Sequence, residues 1–519
     1  MPPKTSVLIS MNKILNNKKI IILPAVISFI VTCLLLYKFS YPISWDVYYH
    51  IHMVNLYMNN GLVFWDYSTV APTGRLIMYP PLFHFFLGVI CNIFNLNPFA
   101  VTWLLQPFFS FFMIFVIGYV AYRLSDDNIR ISLFTSFIAM MSFATFNRSV
   151  ICTPATLAIA FSMLALLFYY EAFDENSSKK IIASAVCFSL ICNLHMATAI
   201  ITTGVLGLYT LYLIITRRVR WKYLAFYAIF SFILSAPWWL YIAMNYTLVF
   251  NSIAGSYLRI DEFLIKYYGI IPSLFTLMGF YCLYNEKSSK SIFLALWSLS
   301  IVLLSQVPLL GFDTVSIRIF EVSAYPLILI AGIGVDYLID SLKSINLRKI
   351  ILVLFVIYSL GACISYVDSY TPDLMDDDDK GVTLLPDEFH IFFDPVGSTL
   401  KPSIIADRYG DSSLAGSRYD MTGYMMKNNV SGLVVSEDAI MDTIIVSSTN
   451  ASVVYGGFTE SIPEYVIDPV HIVNSQATIS ELDNLGVTYL LIRKDTSIAT
   501  YAEVVYQNDD YKLCKITFK

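Results

Sequence analysis

The chain has 519 residues, 57% of them apolar and only 14% charged, with a formal net charge of −5. Soluble proteins are far less apolar, so the composition excludes a string of ordinary soluble domains and points to a polytopic membrane protein. Nucleic-acid binding is excluded as well: there is no basic stripe with interleaved aromatics, and beyond residue 366 acidic residues outnumber basic ones 24 to 10, against 14 to 23 before it.

The membrane part is therefore expected over 1–366 and an acidic soluble domain over 367–519. The first apolar run, Ile20 to Phe39, is longer than a signal-peptide core and has no small-residue cleavage site, which predicts a retained first helix. Eleven runs are long enough to cross a bilayer: 19–38, 99–122, 130–148, 151–170, 180–194, 196–215, 223–244, 265–285, 291–309, 319–340 and 348–366. A twelfth, Pro81 to Phe94, is too short to cross upright and is read as lying at the surface. With that choice 17 of the 23 Lys/Arg in this part fall on the side of the N-terminus, which makes that side cytoplasmic and sends the tail outside. Seven of the eight cysteines lie in apolar stretches and only Cys514 lies in the tail, so neither a disulfide framework nor zinc spacing is present.

The loop 39–98 between the first two spans is far longer than a connector needs to be, and too aromatic to be disordered. Val47, Ile51, Val54 and Met58 recur at helical spacing, predicting a helix along the membrane interface. Asp46 and His50, four apart, share a face of it, and Asp46 sits at the helix start, where free amides and the macrodipole favour an ionised carboxylate. The same residues also suit a plain helix cap within an interfacial aromatic belt.

In the tail, Asp376-Asp377-Asp378-Asp379-Lys380 lacks the spaced ligands and glycine turn of a calcium loop and reads as a solvated linker. Beyond it, Gly432–Val435, Thr443–Val446 and Thr488–Ile492 are β-rich and alternate with helix-like stretches, predicting a small α/β domain. Sequons stand at Asn429 and Asn450.

The first loop carries W-D-x-Y-Y-H from Trp45, an Asn59-Asn60-Gly61 turn, and Tyr79-Pro80-Pro81-Leu82-Phe83-His84. This pattern resembles the first outer loop of GT-C glycosyltransferases, and of archaeal oligosaccharyltransferase catalytic subunits in particular. Ala236-Pro237-Trp238-Trp239, Arg318-Ile319-Phe320 and Ala331-Gly332-Ile333-Gly334 extend the likeness. The resemblance implies a GT-C-like membrane domain of about eleven spanning helices plus interfacial helices, followed by an extracytoplasmic α/β domain. It also implies a catalytic acid at Asp46 and a polyprenyl-phosphate-linked sugar donor. Two features depart from the oligosaccharyltransferases. No W-W-D-Y-G is present in the tail, since all seven Trp precede residue 300, and the second outer loop, Asn147 to Pro154, holds no carboxylate.

Sugar transfer from a polyprenyl phosphate needs a base for the acceptor hydroxyl and donors for the leaving phosphate. Asp46 is the candidate base, and Arg318, Arg148 and Arg75 are the candidate phosphate ligands, because a guanidinium fork matches phosphate oxygens. Tyr49, His50, His84, His195 and Glu321 are candidate substrate contacts, with neutralisation of Arg318 the plainer role for Glu321 and a structural one the plainer for His195. Asp261 and Glu262 offer the one route to a Mg or Mn site with Asp46, and Asp313 reads as a solvated loop residue. The expected function is inverting transfer of a lipid-linked sugar to a glycan, lipid or protein acceptor at the cell membrane. A divergent oligosaccharyltransferase, and a noncatalytic transporter or assembly factor, are the alternatives.

Overall fold

A computed structural model describes residues 18–246, 257–311, 316–370, 382–399, 404, 408, 414–456, 479–498 and 500–517. The Asp376–Lys380 stretch and Asp313 lie outside the described residues.

The apolar runs form helices, several of which start at a side-chain cap. After α1 (Leu23–Lys38), α4 (Pro98–Leu124) begins at Asn97, whose side chain accepts from Ala100 N, with Pro98 in the first turn. Asn128 caps α5 (Ile129–Met141) in the same way. The bundle continues through α6 (Phe143–Val150), α7 (Pro154–Asp174), α8 (Ser178–Leu194), α9 (Met196–Ile215), α10 (Trp221–Asn245), α11 (Ile260–Tyr268), α12 (Ile270–Glu286), α13 (Ser289–Leu304), α14 (Ser316–Ser341) and α15 (Ile345–Ser369). Between α1 and α4 the first loop folds as α2 (Trp45–Asn60), a short hairpin of β1 (Trp65–Asp66) and β2 (Arg75–Leu76), and α3 (Leu82–Phe94).

Among the described residues seven helices are long and apolar enough to cross a membrane, or nine if each of two bent pairs counts as one span. The other two of the expected eleven runs, 180–194 and 291–309, form the shorter helices α8 and α13. The run 130–148 is not one straight span: α5 and α6 meet at 81°, because Ser142 is extended and ends the hydrogen-bond ladder. The run 265–285 likewise breaks, α11 and α12 meeting at 119° across Gly269, whose φ of +104° is open to glycine but strained for other residues. Helices α8 and α13 have 17 and 16 residues, at the lower end of the length that crosses a bilayer. The Pro81 to Phe94 run is α3, with 13 residues. The multi-pass membrane character stands.

The loops that the charge count grouped on one side do meet at one end of the bundle. Lys18 pairs with Asp127 at 3.6 Å, Arg123 and Lys180 with Glu171 at 2.8 and 2.7 Å, Arg130 with Asp336 at 2.8 Å, and Lys290 with Asp126. Helices α12 and α14 lie close because both are notched: a methyl group on Gly279 would strike Ile330 O, and one on Gly334 would strike Phe275 O.

The tail begins with two short helices, α16 (Asp387–Phe393) and α17 (Pro395–Thr399), and then α18 (Ala415–Lys427). Its sheet is built from β3 (Ser431–Ser436), β4 (Asn450–Val453), β5 (Val487–Arg493), β6 (Ala502–Gln507) and β7 (Tyr511–Ile516), in the order β4-β3-β5-β7-β6. Strand β3 is parallel to β4 and to β5, and β7 is antiparallel to β5 and to β6. Helix α19 (Ala439–Ser448) makes the crossover from β3 to β4, and α20 (Ile479–Leu485) precedes β5. The stretch expected as a strand at Thr443–Val446 is inside α19 instead, where Ile444 and Ile445 are fully buried. Tertiary burial overrides their β-propensity.

The tail is fastened to the first loop. Helix α19 packs on α2, and residues 68–71 run along the free edge of β4: Val453 N donates to Ser68 O at 2.8 Å, Ala71 N to Val453 O at 2.9 Å, and Val70 N to Tyr455 O at 3.1 Å. The β4 edge of the sheet is thereby covered at its Val453 end. Ala71 itself belongs to the apolar cluster of the tail, with Leu433, Val435 and Leu490.

Candidate functional site

Ser44 is the residue that caps α2, with an extended backbone, which leaves Asp46 free in the first helical turn. Its carboxylate reaches across to α14, where Arg318 donates from a terminal guanidinium nitrogen to Oδ2 at 3.3 Å. One turn further along α14, Glu321 Oε2 lies 3.7 Å from the other terminal nitrogen of Arg318 and accepts from Arg148 at 2.5 Å. Arg148 comes from α6, the short helix that the bend at Ser142 turns aside. The bend is what brings this side chain to the site rather than to the bundle surface. The result is a row, Asp46, Arg318, Glu321, Arg148, in which two cations and two anions alternate.

The row lines a cavity of about 390 Å³. His50, Tyr79 and Pro80 close it from the first loop, Thr153 and Ile159 from α7 and its approach, His195, Thr198 and Ile201 from the α8–α9 junction, and Trp239 from α10. One part is thus charged and the rest largely apolar, the character of a site for an amphiphile with a charged head. The Arg318 side chain keeps 48% of its surface accessible and that of Arg148 only 4%. Nε of Arg148 has no hydrogen-bond partner among the described residues.

The two histidines in the cavity wall are neutral donors or acceptors. Burial, reinforced by the neighbouring His195, pulls His50 down to about 3. Burial, with Arg148 and Arg318 nearby, pulls His195 down to about 3 as well. His195 caps α9: Thr198 N donates to its Nδ1 at 3.3 Å and the Thr198 hydroxyl lies at 2.8 Å. With Nδ1 accepting, the ring proton resides on Nε2.

Six of the sequence candidates, Asp46, His50, Arg148, His195, Arg318 and Glu321, therefore share one cavity. Three others from the first loop do not line it. His84 is fully buried behind His50, its Nε2 3.0 Å from His50 Nδ1, and burial holds its imidazole well below the usual range. Tyr49 is buried under the guanidinium of Arg75, which stands 5.2 Å from its ring. Arg75 is no surface phosphate ligand: it is 2% exposed and donates through Nε to Thr69 Oγ1 at 2.9 Å, next to the Asp66 carboxylate. Asp66 accepts from Thr69 Oγ1 at 2.6 Å and from Ser68 N at 2.9 Å, and lies 3.0 Å from His52 Nε2. Burial alone would push the Asp66 carboxyl up, but His52, Arg75 and Thr69 together hold it well below the usual carboxylate range. This network fixes the loop, and none of its members lines the Asp46 cavity.

The metal route through Asp261 and Glu262 is not assembled. Asp261 is exposed and held by Arg259 at 2.8 Å, and Glu262 by Lys266 at 2.5 Å. Among the described residues no group of three His, Cys, Asp or Glu side chains could hold a metal ion. Thr153, Thr198 and Trp239 were not singled out as site residues. Of these only Trp239 had a signal, its place in the Ala236–Trp239 motif.

No protein-family model matches this chain, and no curated protein does. Solved structures do. The oligosaccharyltransferase AglB of Archaeoglobus fulgidus, in complex with an inhibitory peptide and a dolichol-phosphate, aligns with a TM-score of 0.61 at 11% identity, over 91% of this chain and 69% of AglB. ArnT of Cupriavidus metallidurans, bound to undecaprenyl phosphate, aligns with a TM-score of 0.61 at 13% identity, over 95% of this chain and 97% of ArnT. The mycobacterial arabinofuranosyltransferase AftD gives 0.54 at 12% identity, over 97% of this chain and 42% of AftD. At such identities the likeness is one of fold: the chain shares the polytopic helical fold of these proteins, with a C-terminal domain.

Proposed function

We propose that this chain is an integral-membrane glycosyltransferase that moves a sugar from a polyprenyl-phosphate-linked donor to an acceptor on the extracytoplasmic face. The observation that carries the reading is the contact between Asp46 and Arg318 at 3.3 Å inside a cavity that is apolar elsewhere. Base and phosphate ligand are thus within one sugar's reach of each other. The lipid phosphates named with AglB and ArnT support a donor of this class.

The acceptor hydroxyl gives its proton to the Asp46 carboxylate as its oxygen bonds to the anomeric carbon. The bond from that carbon to the bridging phosphate oxygen breaks, its electron pair leaves with the polyprenyl phosphate, and configuration inverts. Arg318 receives the charge that develops on the phosphate, and Glu321 with Arg148 behind it holds the guanidinium in line. A carboxylate lone pair held by a guanidinium is not free to take a proton. The donor phosphate, an anion competing for Arg318, draws that guanidinium away and frees Asp46, so donor binding prepares the base. Neutral His195 donates a further hydrogen bond through Nε2. No step is routed through a metal, because the carboxylates that would complete such a site are engaged elsewhere.

The N-terminus is then cytoplasmic and the tail extracytoplasmic, in keeping with the cation-rich loops gathered at the end where Lys18, Arg123 and Lys290 meet acidic partners. The test is to incubate purified protein with a panel of polyprenyl-phosphate sugars and to compare wild type with Asp46→Asn. Transfer by the wild type that the variant loses supports the reading; equal turnover by both removes Asp46 from the mechanism.

A further inference from the structure

Helix α2 has a second cavity on its other side. At 100° per residue Asp46 and His50 lie on one face, while His52, Asn55 and Asn59 lie roughly opposite. That opposite face and the tail enclose a cleft of about 530 Å³, lined from α2 by Asn55, Asn59 and Asn60, and from the tail by Asn429, Asn450 and Ser447 among others. Asn55 Nδ2 donates to Ser447 O at 3.3 Å across its floor. Among the described residues its lining holds no Asp, Glu, Lys or Arg.

We propose that this cleft is a binding subsite for a neutral oligosaccharide. Five primary amides line it, each pairing a donor with an acceptor as neighbouring hydroxyls of a sugar ring require, and the Nδ2 groups of Asn55 and Asn60 each already give one hydrogen to a backbone carbonyl. Leu56 and the exposed Met426 add soft apolar surface against which the C–H face of a pyranose packs. Among the described residues the one ionisable side chain of the lining is His52, already paired with Asp66 at 3.0 Å, which contrasts with the charged cavity on the other face of the same helix. An extended peptide lacks its usual purchase too, because residues 68–71 already occupy the edge of β4. The shared chemistry is an uncharged glycan, supplied either by the acceptor or by the distal sugars of the donor, and in that respect the inference rests on the transferase reading.

The experiment titrates lipid-free neutral manno-, gluco- and galacto-configured tetrasaccharides into the full chain in detergent, with binding followed by saturation-transfer NMR. Wild type binds at least one of them at millimolar concentration. The double variant Asn59→Ala, Asn429→Ala, both at exposed rim positions, binds about tenfold more weakly, and Asp46→Asn binds as wild type does. The proposal is overturned if no tetrasaccharide binds wild type, if the double variant binds equally well, or if Asp46→Asn abolishes binding, which would locate the sugar in the charged cavity. In turnover assays an acceptor KM raised in the double variant with the donor KM unchanged identifies an acceptor glycan, and the converse identifies the donor's. If wild type binds tetrasaccharide yet transfers nothing from any polyprenyl-phosphate sugar, the transferase reading fails while the subsite stands.

Discussion

Both ends of the helical bundle carry chains of alternating charge, and they are built for different work. At one end Lys18, Asp127, Arg123, Glu171 and Lys180 join the loops in pairs whose basic members are partly or largely exposed, up to 72% for the Lys18 side chain. At the other end Asp46, Arg318, Glu321 and Arg148 converge on a cavity, with Arg148 almost entirely enclosed. Solvent screens the exposed Lys18–Asp127 pair, while Glu171 is mostly buried and shared between Arg123 and Lys180. The second set gathers residues from α2, α6 and α14 around one cavity, with Arg148 enclosed and Arg318 half-exposed, so a ligand entering there meets an accessible cation backed by a buried one. The residue types are the same, and a shared cavity separates a site from a fastening.

Four substitutions break or sharpen that contrast. Asp46→Asn has the largest effect, lowering the transfer rate about 10²- to 10⁴-fold with the fold intact, as read by turnover and by gel filtration. Arg318→Ala is next: removal of a charge-assisted bond to the leaving phosphate lowers kcat/KM about 10- to 150-fold, and Arg318→Lys recovers only part because a point charge cannot fork. If Arg318→Ala turns over as wild type, the cavity chain is no more functional than the one at the far end. Asp66→Asn, in the network that fixes the first loop, lowers thermal stability by about 1–3 kcal/mol at neutral pH. Because its carboxyl is held below the ordinary value of 3.8, that contribution is complete above this value and fades as pH falls further. Thermal unfolding of wild type and variant should therefore differ near neutrality and converge in strong acid. Arg123→Ala is the smallest, costing below about 1 kcal/mol and leaving transfer unchanged; a large loss of activity there would erase the distinction between the ends.

Much of this was legible in the sequence. Asp46 and His50 declared a shared face by their spacing, and Arg148, His195, Arg318 and Glu321 stood out as polar groups next to apolar runs, where such groups are costly. Their convergence was not legible, because it depends on two bends. Ser142 and Gly269 leave hydropathy unchanged while turning the chain by 81° and 119°, and only the first of these turns Arg148 into the cavity. Arg75 misled for a related reason: a cation on the same loop as Asp46 reads as a ligand, but the hairpin folds it inward over Tyr49 toward Asp66 and Thr69. Asp261 and Glu262 misled because their neighbours Arg259 and Lys266 neutralise them locally. In the tail, β-branched composition suggested a strand at Thr443–Val446, whereas the crossover between the parallel strands β3 and β4 requires a helix there.

The docking of residues 68–71 along β4 means that the C-terminal domain is not a detachable module. Severing the chain after α15 would strand three backbone hydrogen bonds, remove Ala71 from the cluster around Leu433 and Val435, and leave a naked strand edge available for self-association. A chimera that borrows this domain from another architecture of the same class would have to import its own loop segment with matching register. Otherwise the lever that carries Asp46 would lose its fulcrum.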